Sequence, residues 1–175
     1  MGKGWRMMVR RSVFLVIAGL LAWPLAATAQ EAYPNRTVRW VVPFPAGGPT
    51  DTLSRIITAR LAEMWGQSVV VENKGGASGA IGTDIVAKAQ PDGYTLMLGT
   101  QTTNASNMLF FPNLPYDPIK DFQPLTLIGT ACMALVTSPS VPANTPKELV
   151  EWIRKQDNAT YASAAPGSSQ HVTAE

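Results

Sequence analysis

Residues 38–51, VRWVVPFPAGGPTD, decide how this chain folds. Residues 38–43 form an apolar, β-branched run around Trp40, a pattern that predicts a strand. The following Phe44-Pro45-Ala46-Gly47-Gly48-Pro49 cannot be helical throughout, because its prolines lack an N–H and its glycines favour turns. Helical spacing starts immediately afterwards. Leu53, Ile56, Ile57, Leu61 and Met64 recur at helical intervals up to Trp65, with Thr50 or Asp51 as candidate N-cap and Gly66 as the stop. Strand, glycine-rich loop and helix in that order open a parallel α/β sheet.

Working outward, the order repeats. Residues 69–71 are a short β-branched strand, residues 72–79 (ENKGGASG) a glycine-rich turn, and Ile81, Ile85 and Val86 mark one face of a helix ending near Gln90. Pro91-Asp92-Gly93 is a turn and residues 94–98 a third strand. Residues 104–111 read as a short helix, and residues 122–128 and 133–137 as two further strands, with Gly129-Thr130 between them as a crossing from one lobe to another. Thr145-Pro146-Lys147-Glu148 has the capping-box pattern of a helix start, and that helix is expected to run to about Lys155 with Leu149, Trp152 and Ile153 inward. Residues 161–164 read as a strand and residues 170–175 as the opening turn of a helix. The expectation is a chain whose last turn stops before its helix acquires an apolar face.

Composition narrows the class. The chain has 175 residues, 46% apolar and 15% charged, with one cysteine and 14 Lys+Arg against 12 Asp+Glu. A wholly disordered chain, a disulfide-stapled miniprotein and a polytopic membrane protein are poor matches to these values. At the N-terminus Lys3, Arg6, Arg10 and Arg11 precede an apolar run over residues 13–25, and Ala27-Thr28-Ala29 supplies the small residues of a cleavage site. This is the pattern of a secretory signal, residues 1–29, with cleavage after Ala29. The run, interrupted by Pro24, falls short of the roughly 20 residues that span a bilayer. Cleavage would remove four cations and turn the formal net charge from +2 to −2, so no basic stripe favours nucleic acid. Cys132, in an apolar stretch, reads as a buried structural thiol.

In an open α/β sheet ligands bind beyond the carboxyl ends of the strands, and free backbone N–H groups there suit a negatively charged oxygen. The loops after the first two strands, and a later loop with Pro166, Gly167, Ser168 and Ser169, occupy such positions. They point to a carboxylate held largely by main-chain donors, although glycines also serve turns for steric reasons alone. The glycine-rich residues 75–82 lack the lysine and hydroxyl pair of a P-loop, and the loop after the first strand lacks a spaced G-x-G-x-x-G, so nucleotide binding is poorly supported. Asp51 either caps its helix or accepts a bond from an amino or hydroxyl group of a ligand. Phe44 can stack on a small ligand. His171, the one histidine, caps or lines the third loop or is structural; it lacks the companions of a zinc site, and no G-x-S-x-G elbow frames Ser168. No cofactor is called for.

Tyr33-Pro34, residues 41–51 (VVPFPAGGPTD), residues 71–79 (VENKGGASG), Pro91-Asp92-Gly93-Tyr94-Thr95-Leu96 and Asp117-Pro118-Ile119-Lys120-Asp121-Phe122 together resemble the substrate-binding proteins of tripartite tricarboxylate transporters, the Bug family. The resemblance implies a periplasmic, monomeric, non-enzymatic protein of the type II periplasmic-binding-protein fold. Two α/β lobes of mostly parallel sheet would close on a small carboxylate and hand it to membrane permease subunits. Residues 30–125 would then be most of the first lobe and residues 126–175 the start of the second. On the first-lobe side the resemblance implicates Phe44, Ala46, Gly47, Gly48, Asp51, Gly76, Ala77, Ser78, Gly79 and Thr100; on the second, Ser163, Gly167, Ser168 and His171. Ala164-Ala165 stands where the family more often has glycine. Members usually have roughly 300 residues after the signal, so a chain of this length implies half a cleft and weak binding. A dicarboxylate, tricarboxylate, amino acid or aromatic acid all remain open as ligand. A solute sensor for a signalling receptor would use the same module, and an exported α/β hydrolase would need a nucleophile and base in reach.

Overall fold

A computed structural model describes residues 32–175; the signal-sequence reading lies outside them. Three parallel strands, β1 (Val38–Val42), β2 (Val69–Asn73) and β3 (Thr95–Met97), pair in the order β2-β1-β3. β1 is the central strand. Val38, Trp40, Val41 and Val42 are all buried, so both of its faces are covered, as a parallel sheet requires. Arg39 alone faces solvent and forks onto Glu72 at 2.9 and 3.0 Å. That pair holds the Glu72 carboxylate below its usual range, chiefly through the Arg39 hydrogen bond.

Helix α1 (Pro49–Trp65) lays Ile57 and Leu61 against Trp40, Val42 and Leu98, and Gly66 closes it in the left-handed conformation. Its start differs from expectation: Gly48, not Thr50 or Asp51, is the N-cap. Pro49 is the reason, because its fixed φ is preorganised for the first helical position, which places Asp51 one residue short of completing the first turn. Helix α2 (Ala80–Ala87) crosses close to the sheet at Gly82, where a β-carbon would stand 2.4 Å from the Lys74 carbonyl oxygen and 2.8 Å from Pro43 Cα. Beyond β3, residues Thr102–Ser106 wind as a π-helical turn into the short helix α3 (Asn107–Phe110).

The remainder of the chain departs from the sequence reading. Residues 122–128, 133–137 and 161–164 form no ladder, and Leu125, Leu127, Met133, Leu135, Val136 and Tyr161 are exposed. β-propensity reflects packing on a pleated neighbour, and no strand among the described residues offers these segments one. Cys132 is accordingly exposed rather than buried. Helix α4 (Pro146–Ile153) begins as expected, Thr145 Oγ1 accepting the Glu148 N–H, but stops at Ile153, which is exposed while Leu149 and Trp152 are half-buried. Helix α5 (Ser169–Ala174) follows, capped by Ser168.

Candidate functional site

Because β1, β2 and β3 run parallel, the loops that follow them, residues 43–48, 74–79 and 98–101, emerge at one end of the sheet. The first is set by Asp51. Its carboxylate is buried and accepts from the Gly47 N–H (2.8 Å), Arg55 Nε (3.1 Å) and Asn73 Nδ2 (3.0 Å). Arg55 first, then the Gly47 amide and Asn73, hold this carboxyl down to about 2. Asn73 also donates to the Phe44 carbonyl at 3.2 Å, tying the end of β2 to the first loop. Asp51 thus acts on Gly47 and Asn73, its acceptor capacity engaged by the protein. Phe44 is half-buried on the Trp40–Val42–Leu98 cluster, and its ring tip lies 3.4 Å from where a Gly79 β-carbon would stand. Ala46 and Gly47 are exposed and Gly48 half-buried.

The second loop is strained. Gly76, Ala77, Ser78 and Gly79 have φ of +120°, +47°, +52° and +85° in succession. For Ala77 and Ser78 the left-handed backbone costs roughly 1–2 kcal/mol each. Bonds on every side hold it: Gly79 N–H to Gly76 O (3.0 Å), Thr83 Oγ1 to Gly79 O (2.8 Å), and Asn107 Nδ2 to Ser78 O (3.2 Å). In the third loop the Thr100 N–H donates to Thr103 Oγ1 at 3.0 Å. The Tyr116 hydroxyl donates to Thr103 O at 2.7 Å and accepts from Asn107 Nδ2 at 3.3 Å.

Residues 165–171 dock onto this rim. Ser78 Oγ donates to Pro166 O at 2.7 Å, and Ser169 Oγ to Gln101 Oε1 at 2.8 Å. Gly167 and Ser168 are buried, whereas Ser163 is exposed. His171 Nδ1 accepts the Gly167 N–H at 3.3 Å and its ring meets Phe110 edge-on at 5.7 Å, while Ser168 Oγ accepts the His171 main-chain N–H. The histidine and serine therefore brace the loop through main-chain groups. Asn73, Gln101, Asn107 and Tyr116 escaped the sequence reading; the only trace they leave is a polar residue at the end of a strand or in an otherwise apolar helix. A separate depression of about 330 Å³ lies against α2, lined by Ala80, Ile81, Ile85, Phe111 and Leu114. Of the candidate ligand residues it touches only Ala77, so it is not the site formed by the strand ends. No group of three or more His, Cys, Asp or Glu poised for a metal occurs among the described residues.

Parallel strands flanked by helices define an α/β protein, and its superposition on solved periplasmic binding proteins makes the class that of the periplasmic-binding-protein fold. The profile of the tripartite tricarboxylate transporter family receptor matches residues 53–175, and the chain belongs to that family. Protein BugT of Bordetella pertussis is 34% identical over 172 residues, 97% of this chain and 52% of BugT. Among solved structures, Rpa4515 of R. palustris with adipate superposes with a TM-score of 0.71 at 40% identity, over 78% of this chain and 46% of that one. The periplasmic binding protein BugD gives 0.62 at 34% identity, over 81% and 48%. The chain spans about half the length of the curated relatives it matches.

Proposed function

We propose that this protein is the extracytoplasmic solute-binding component of a tripartite tricarboxylate-type transporter, non-enzymatic and monomeric, which binds a small carboxylate and delivers it to membrane permease subunits. The observation that carries this reading is the convergence of three strand-end loops with the docked loop at residues 165–168, in a relative of a protein solved with adipate. A carboxylate there would be met by the main-chain N–H groups of Gly48, Gly76, Ala77 and Ser78, while Gly47, Gly79, Gly167 and Ser168, whose amides are bonded within the protein, shape the walls together with Phe44, Ala46, Thr100, Ser163 and His171. Residues 30–125 serve as most of the first lobe and residues 126–175 as the start of the second, after export and cleavage at Ala29. The bracing role of Ser168 and His171 supports binding over hydrolysis, since neither Ser168 Oγ nor His171 Nδ1 is aimed at the other.

Native mass spectrometry of the full-length gene product purified from its host tests this. Retention of a carboxylic acid, displaced by a dicarboxylate such as adipate, is the expected result. Absence of any retained acid, together with no calorimetric heat from a panel of dicarboxylates, tricarboxylates and aromatic acids, would overturn the reading.

A further inference from the structure

The loops at residues 76–79 and 165–169 are joined by bonds that the chain makes with itself. Ser78 Oγ reaches Pro166 O from a backbone held at φ +52°, so the left-handed turn aims its hydroxyl across the gap. Ser169 Oγ makes the second bond, to Gln101 Oε1 beyond β3. Between them Gly167, at φ +74°, presents its backbone to Phe110, whose ring atoms would lie 3.0 and 3.1 Å from any β-carbon placed there. Only glycine permits so close an approach. These contacts are separated by up to 88 residues in sequence, and each has one partner on the strand-end rim and one on the docked loop.

We propose that Ser78 and Gln101 are positioning residues, latching the loop that carries Gly167 and Ser168 onto the strand-end rim so that the two sets of candidate ligand residues are held face to face by the protein itself. The proposal rests on the binding function above only in the purpose of the latch; the latch itself is a property of the chain.

Amide hydrogen exchange reads it without solute. The Gly167 and Ser168 amides, bonded to His171 Nδ1 and Ala165 O, report the order of the loop. Ser78→Ala, which keeps the backbone demands of the turn, and Gln101→Leu, which removes the acceptor, should each speed exchange at both amides by about two- to tenfold, the equivalent of one lost hydrogen bond. Gln101→Glu keeps an acceptor for Ser169 and should restore the native rate. Unchanged exchange in both Ser78→Ala and Gln101→Leu overturns the latch, as does equal acceleration by Gln101→Leu and Gln101→Glu. Should Ser78→Ala unfold, the Gln101 pair still decides. Exchange that responds as expected in a protein that retains no carboxylate would leave the latch standing and remove the transport function instead.

Discussion

Gly79→Ala is the sharpest test of how the second loop is built. Gly79 sits at φ +85°, and a β-carbon there would stand 2.8 Å from Thr103 Cγ2 and 3.1 Å from Pro43 O. Neither neighbour can yield cheaply. Pro43 O is main chain at the end of the central strand, and rotating Thr103, which is fully buried, would break its bond from the Thr100 N–H. Gly66 supplies the control, because it shares the left-handed conformation at φ +62° but has nothing within 4 Å of a β-carbon. Gly66→Ala should therefore lose only the backbone preference, about 1 kcal/mol. Gly79→Ala adds overpacking of roughly 1–3 kcal/mol, for a total of about 2–4 kcal/mol. For an ordered body of this size that separation is roughly 3 °C of Tm for Gly66→Ala against about 10 °C for Gly79→Ala. Thermal unfolding followed by far-ultraviolet circular dichroism measures both. Equal Tm losses in the two variants would refute the claim that close approach, rather than turn conformation alone, demands glycine at position 79.

Three further outcomes are expected. Arg55, the Gly47 amide and Asn73 hold the Asp51 carboxyl down to about 2 in the folded chain against about 4 when unfolded, so its contribution to stability is complete above about pH 4 and lost as pH falls toward 2; Asp51→Asn should flatten the fall in Tm across that window, and an unaltered acid profile would show that Asp51 does not govern acid stability. Tyr116→Phe leaves the Thr103 carbonyl without its 2.7 Å donor and should destabilise by about 1–3 kcal/mol in urea unfolding, whereas a change below the scatter of replicate titrations would show the bond to be dispensable. Thr145→Ala removes the cap that accepts the Glu148 N–H and should cost about 1 kcal/mol, seen as faster amide exchange within α4 alone; uniform acceleration across the sheet would contradict a local role.

How much of this was legible in the sequence depended on how local the cause was. β1, α1, β2 and β3 could be read because a β-branched run, a Pro/Gly loop and a helical apolar stripe each carry their signal within about fifteen residues. The cap of α1 was misplaced by two or three residues, since Pro49 at the first helical position outweighs the side-chain preference of Thr50 or Asp51. Residues 122–128, 133–137 and 161–164 were misread because a strand exists only with a partner, and propensity cannot supply one. In the candidate site the loops were legible and their braces were not. Nothing near Asn107 in sequence announces that its amide holds Ser78, 29 residues away.

Those braces share a logic that accounts for the polar residues buried at the strand ends. Asn73, at the end of β2, ties that strand to Phe44 in the first loop and to Asp51 in α1; Asn107 ties the second loop to Tyr116; and Tyr116 ties that pair to Thr103 in the segment after β3. The loops are thus one bonded rim rather than three separate turns. Left-handed backbone at Ala77 and Ser78 persists only if its surroundings over-determine it, and the bonds of this rim to Ser78 O and Gly79 O do so. If the proposed site binds chiefly through main-chain groups, its geometry must be set from behind. The residues that matter for such a site are the asparagines, the tyrosine and the aspartate that hold the loops, and a change in any one of them should disturb two loops together.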